Sequence, residues 1–313
     1  MQHVSLLANF AVVVLLATGC TREQKPSGSD GTAASAASTR EPKPVDLGKV
    51  RLSLSATDTE KYKHFLSDKK LTDTISYQSP DLDTAQVVDA VLISKALTLG
   101  GIDTDFEMVT IPNSERERAM VVSGELTVSG TSQWDWWADA NTETVYKSDV
   151  VVPNGTFEKG LYTSKERAAA LTVESSKDWA KFTCVSNRNW RVDWKTLSRL
   201  GFKNLQMAPN TESMFKMVDG GHADFTVQSF SGKPDLSITV GGITLYPVKG
   251  WKVALDGSRH FVVSKKNPHG AVVFAGLQKG LASMHQSGEV ARALTESGFF
   301  NVNVKTWRTI QPQ

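Results

Sequence analysis

From Leu47 onward the chain alternates short β-forming runs with stretches of helical apolar spacing. Arg51-Leu-Ser-Leu-Ser switches between apolar and polar at every step, the period of a strand with one face buried. Thr84 to Leu99 sets Val88, Leu92, Ala96 and Leu99 at helical spacing and stops at Gly100-Gly101. Phe106-Glu-Met-Val-Thr-Ile predicts a strand closed by Pro112. Ser114 can cap a helix running to Ser123-Gly124, with Glu117 three residues on as in a capping box, and Leu126-Thr-Val-Ser predicts the next strand.

The middle repeats the scheme. Phe182 to Ser186, Leu205-Gln-Met and Ala223 to Ser229 predict strands. Asp193 to Leu200, stopped by Gly201, and Glu212 to Val218 predict helices. Near the end, Arg259-His-Phe-Val-Val-Ser predicts a strand feeding a helix with Val273, Leu277, Leu281 and Met284 inward, ending at Gly288. Such alternation predicts an α/β protein with a mostly parallel sheet.

The first residues read differently. Ala11-Val-Val-Val-Leu-Leu-Ala17 is an apolar core of signal-peptide length, too short to span a bilayer as a helix. It ends at Leu16-Ala-Thr-Gly-Cys20, which resembles the bacterial lipobox and marks Cys20 for lipidation, although the segment before it carries no Lys or Arg. Residues 1–19 are then a lipoprotein signal peptide, and 20–46, crowded with Ser, Ala, Gly, Pro, Lys and Glu, a disordered tether. Several acyl chains give stable membrane anchoring. Thr21, rather than Asp, after the cysteine favours the outer membrane.

Composition narrows the function. Of 313 residues 40% are hydrophobic and the net charge is +2, which allows a well-buried core and argues against a nucleic-acid binder. The Arg116–Arg118 pair sits in Ser114-Glu-Arg-Glu-Arg, whose alternating signs suggest a solvated helix face. With Cys20 lipidated, Cys184 has no disulfide partner and reads as a buried small hydrophobe. His64, His222, His260, His269 and His285 are singly placed, and no Walker loop, His-Glu-x-x-His, paired-Cys motif or Gly-x-Ser-x-Gly elbow is present, so neither an enzyme nor a cofactor is expected.

Two stretches carry a family resemblance. One is Val109-Thr-Ile-Pro-Asn-Ser-Glu-Arg-Glu-Arg-Ala-Met-Val-Val-Ser-Gly; the other combines Leu197-Ser-Arg-Leu-Gly-Phe, Met217-Val-Asp-Gly-Gly-His-Ala-Asp-Phe and Val263-Ser-Lys-Lys-Asn-Pro through Gly280-Leu-Ala-Ser-Met-His-Gln-Ser-Gly. In order and spacing, from about Arg51 to Trp307, they resemble the type II periplasmic solute-binding proteins, in particular family 3, the amino-acid-binding group. The resemblance implies two α/β lobes joined by two crossover strands, with a ligand in the central cleft. Lobe 1 is then 47–163 with 260–313, and lobe 2 is 164–259.

The resemblance also locates candidate contacts. The stretch matching the family's carboxylate-clamping Arg, Gly130-Thr-Ser-Gln-Trp-Asp-Trp-Trp-Ala-Asp, holds no Arg or Lys, and Ser229 stands where the family places an ammonium-binding Asp. Loss of both charge-assisted contacts speaks against a standard amino acid. Trp134, Trp136 and Trp137 are offered instead, as faces for a flat, sugar-like or cationic ligand. Thr131 and Ser132 can donate from lobe 1; Asn187, Arg188, Trp190 and Thr211 stand at matching places in lobe 2, with Arg188 as the cation for an anionic ligand. The expected partners are a small-molecule solute and an inner-membrane permease or a sensor protein. The alternative is a sensing or partner-binding envelope lipoprotein without a transport role.

Overall fold

The structure, a computed structural model, describes residues 47–102 and 104–312; the segments expected as signal peptide and tether, with Cys20, lie outside the described residues. In the first lobe β1 (Lys49–Ser53) pairs in parallel with β2 (Asp105–Val109), Leu52 opposite Met108. Between them run α1 (Ala56–Leu66) and α2 (Ala85–Leu99). Their N-terminal amides are capped by the hydroxyls of Ser55 and Thr84. α2 is buried from Val87 through Leu97, as expected of a helix apolar on every side.

α3 (Ser114–Ser123), β3 (Gln133–Trp134), α4 (Asp135–Ala140) and β4 (Val145–Val152) continue this lobe. The cap of α3 is Asn113, whose Oδ1 accepts from the Arg116 amide at 2.9 Å; Ser114 is the first helical residue. Glu117 turns inward instead of closing a capping box. The expected strand at Leu126 is reduced to single bridges from Val128 to Leu52 and to Val263, because the chain must turn at once into the cleft loop.

The second lobe holds β5 (Glu158–Thr163), α5 (Lys165–Ala170), β6 (Thr183–Ser186), α6 (Arg191–Arg199), β7 (Asn204–Met207), α7 (Thr211–Asp219), β8 (Phe225–Ser229), β9 (Ile238–Val240) and β10 (Ile243–Ala254). The chain then returns to the first lobe with β11 (Arg259–Ser264), α8 (Gly270–Gln286) and α9 (Glu289–Glu296). It ends by adding β12 (Arg308–Thr309) to β10. The second sheet has the order β12-β10-β5-β8-β6-β7, with β9 paired to β10. β5 and β12 therefore belong to the second lobe's sheet, although their residues fall in the spans that the family resemblance implies for lobe 1.

The pairing is not mostly parallel: β1-β2 is parallel, β3-β11-β4 antiparallel and the seven-stranded sheet mixed, and the connections explain why. The chain leaves the first lobe through 153–157 and comes back through 255–258. These passages run in opposite directions, so β4 pairs antiparallel with β11 and β5 antiparallel with β10. Bonds from Leu255 N to Phe157 O at 2.9 Å and from Gly155 N to Leu255 O at 3.2 Å join them side by side.

Each lobe has its own core. Leu52, Val91, Phe261 and Leu277 are fully buried in the first, where α8 lies against α2. That approach needs Gly280: a Cβ there would stand 1.7 Å from Ala96 O. The second core gathers around Trp179, which meets Phe225 edge-on at 5.4 Å and Trp251 at 5.9 Å. Truncating so large a buried ring costs about 3–5 kcal/mol.

Candidate functional site

The site begins with the loop that follows Val128, held from below by two buried carboxylates. Glu117 on α3 accepts from Ser53 Oγ at 2.5 Å, Ser129 Oγ at 2.7 Å, Thr131 N at 3.2 Å and Thr131 Oγ1 at 2.9 Å. Asp89 on α2 accepts from both Ser132 N and Ser132 Oγ at 2.8 Å. Burial raises the Asp89 pKa above the ordinary carboxylate value, opposed by nearby Arg259 and by the two Ser132 donors. Gly130 fits where no side chain can, since a Cβ would lie 1.5 Å from Ser53 O.

This fixed loop positions cations. Arg118 donates from Nε to Gln133 Oε1 at 2.9 Å, and its guanidinium lies 5.6 Å from the rings of both Trp136 and Trp137. Burial lowers the Arg118 pKa, and neighbouring Arg259 and Arg191 push the same way against Glu117 and Glu115. A guanidinium nevertheless stays charged in a protein. Arg259, at the start of β11, donates from Nη2 to Ser132 O at 2.7 Å and lies 5.6 Å from the Trp134 ring.

The second lobe faces this loop with Lys159 on β5 and the beginning of α6. Lys159 Nζ meets Asp193 Oδ1 at 2.5 Å, so the carboxylate is already paired. Trp190 is the N-cap of α6 and gives its first turn no side-chain bond, which leaves the positive end of the helix without a side-chain cap. Arg191, the first residue of that helix, stands 4.1 Å over the Trp136 ring.

Between the lobes lies a cavity of about 310 Å³. Arg118, Lys159, Arg191 and Arg259 line it against the one carboxylate of Asp193. Thr131, Ser132, Trp134, Trp136 and Trp190 share its wall, so five of the sequence-derived candidates come together. The others do not line it. Asn187 is tied to Pro209 O at 2.6 Å, Arg188 packs 5.1 Å over Trp194, and Thr211 opens α7 elsewhere. Ser229 lines a neighbouring chamber. Trp137 is buried in the core beside Met120 and Val121.

The cations escaped the sequence pattern. Alternating charge at Glu115 to Arg118 suggests solvent, but the helix buries Glu117 and turns Arg118 into the cleft. Burial of Met120 and Val121, three and four residues beyond Glu117, is the signal that marks this inward face. Arg191 lies only three residues from Arg188, and the helix start at Arg191 separates their directions. Cys184 is fully buried, and burial pushes its thiol pKa up, so it is no nucleophile.

No family model and no curated protein matches the chain. Among solved structures it is similar to the periplasmic VFT2 domain of Bordetella pertussis BvgS, with 17% identity over 68% of this chain and 83% of that one, TM-score 0.45. It is also similar to substrate binding domain 2 of Lactococcus lactis GlnP in its open conformation, with 14% identity over 82% and 97%, TM-score 0.47. A third is the probable amino-acid ABC transporter extracellular-binding protein ytmK of Bacillus subtilis, with 11% identity over 80% and 98%, TM-score 0.48.

Proposed function

We propose that the protein is an extracytoplasmic solute-binding lipoprotein that captures a small anionic solute between its lobes. The observation that carries this reading is the charge of the cavity wall: of its four cations, Lys159 is paired with Asp193 and Arg259 has the buried Asp89 carboxylate 3.8 Å away, while Arg118 and Arg191 face the cavity with no acidic lining residue other than Asp193 among those described. An anion entering there relieves the repulsion among Arg118, Arg191 and Arg259 and meets the uncapped end of α6. A cationic ligand stacked on the tryptophans is disfavoured for the same reason, since arginines already occupy their faces. Binding, rather than catalysis, is the reading, because the wall consists of arginines, hydroxyls and side-chain amides, and its lysine and carboxylate, Lys159 and Asp193, are ion-paired with each other.

The extracytoplasmic part of the proposal rests on the leader-like Ala11 to Ala17 segment and on Cys20 as the lipidated residue. We place Thr131, Ser132, Trp134, Trp136 and Trp190 in the binding wall with Arg118, Arg191 and Arg259. The moving bodies are the two lobes, hinged at 153–157 and 255–258. Delivery to an inner-membrane permease is the role that suits such a receptor.

A thermal-shift panel of phosphate, sulfate, succinate, citrate, acidic amino acids, sugars and amines tests the reading. A ligand at a hundredfold over its Kd adds roughly 2.7 kcal/mol. In a domain of this size the Tm rises on the order of 5–10 °C. Anions shift the protein, and Arg118→Ala or Arg259→Ala abolishes the shift. A panel in which amines act and anions do not overturns it.

A further inference from the structure

Beside the cationic cavity lies a second, larger chamber of about 730 Å³, and Ala85, Gln86 and Phe157 line both. The character changes across that boundary. The second chamber is walled by hydroxyls and glycines, among them Ser229 and Gly232, and by Phe157, Phe230 and Phe299. Its one charged lining residue among those described, Asp83, is held by Lys61 at 2.6 Å.

An aromatic floor joins the two chambers. Phe157 stacks on Trp134 at 5.8 Å and 18°, and its ring lies 4.9 Å from Phe299 at 31°. Arg259 stands over Trp134 and Phe157, so the charged end of the floor belongs to the first chamber. Both lobes contribute to the second chamber: 79–88 and 297–299 from one, 229–232 from the other. Asn301 Nδ2 donates to Ser231 O at 3.1 Å across that boundary. The second chamber is therefore formed by the approach of the lobes, as the first is.

We infer that the ligand has two parts: an anionic head for the arginine chamber and a neutral, flat tail that lies along the aromatic floor into the second chamber. This rests on the reading of the first chamber as an anion site. A small inorganic anion fills only the smaller space and leaves the Phe floor in water. A tail that covers the floor adds apolar burial without adding charge.

Calorimetry on the full chain with two matched probe series tests the inference. One series is inorganic phosphate, phenyl phosphate and 4-phenylbutyl phosphate; the other is acetate, phenylacetate and 5-phenylvalerate. Within a series affinity rises with the tail, by at least about tenfold from the first member to the last. In Ser229→Trp, a substitution at an exposed position of the second chamber, the ratio between last and first members falls toward one. Equal affinities along both series, or a tail gain untouched by Ser229→Trp, overturn the two-part ligand while leaving the anion site standing. Failure of every probe to bind overturns both.

Discussion

The guanidinium of Arg191 lies 4.1 Å over the ring of Trp136, and the two residues belong to opposite lobes. The pair forms one wall of the cationic cavity and also one wall of a separate groove beside Asp135 and Asp256. It therefore acts as a partition as well as a clasp. Such contacts contribute roughly 0.5–2 kcal/mol, more as water is removed.

Replacing Arg191 by Ala removes the clasp and a cavity cation together. Anion affinity is expected to fall by at least about tenfold. Arg191→Lys recovers part of it through charge, without the planar stacking. Calorimetry on the two variants separates the contributions: equal losses in both show that stacking, not charge, matters.

Glu117→Ala leaves the donors of Ser53, Ser129 and Thr131 without their acceptor in a buried site. A loss of about 3 kcal/mol or more in unfolding free energy is expected, with Glu117→Gln intermediate. Urea denaturation measures it, and a change below about 1 kcal/mol refutes the role of Glu117 as the loop's anchor.

Gly130→Ala forces a methyl group against Ser53 O. The expected cost is about 3 kcal/mol, with anion binding weakened because the displaced loop also carries Thr131 and Ser132. A variant of wild-type Tm and affinity contradicts the close approach.

Trp134→Ala separates ligand wall from fold. Trp134 lines the cavity but also stacks on Phe157, so binding is lost and stability falls by about 2 kcal/mol, without global unfolding. Near-ultraviolet circular dichroism with calorimetry reads both effects; unchanged affinity removes Trp134 from the wall.

Asp89 gives a pH dependence. Its pKa is raised in the folded state, so the native protein holds this proton to higher pH than the unfolded chain does. Its contribution to stability is full below the unfolded carboxylate pKa and declines as pH rises through the folded one. Asp89→Asn keeps an acceptor for Ser132 but cannot ionise. Its stability relative to wild type is expected to rise from about pH 3 toward neutrality, and a parallel pair of denaturation curves sinks the assignment.

The periodic elements were legible in the sequence: Arg51 to Ser53, Thr84 to Leu99 and Arg259 to Ser264 lie close to β1, α2 and β11 because each buries one consistent face or is buried throughout. β10 was hidden, since Pro247 and Gly250 interrupt its pattern and its register with β5 shifts between Pro247 and Lys252. Trp134, Trp136 and Trp190 could be singled out as large rings in loops. The cations could not, because Arg118, Lys159, Arg191 and Arg259 come from α3, β5, α6 and β11, and only the tertiary fold brings them to one cavity.

The double crossing also constrains synthesis. β4 hydrogen-bonds to β11 as its only strand partner among the described residues, so Val145–Val152 emerges from the ribosome long before Arg259–Ser264 can join it. The intervening second lobe has most of its sheet in one continuous stretch and can condense first. The amino-terminal lobe is thus completed late, and the last strand of the chain, β12, seals the lobe that formed earlier. A truncation shortly before Arg259 is expected to leave an unpaired β4 edge, and with it a nascent chain prone to aggregation.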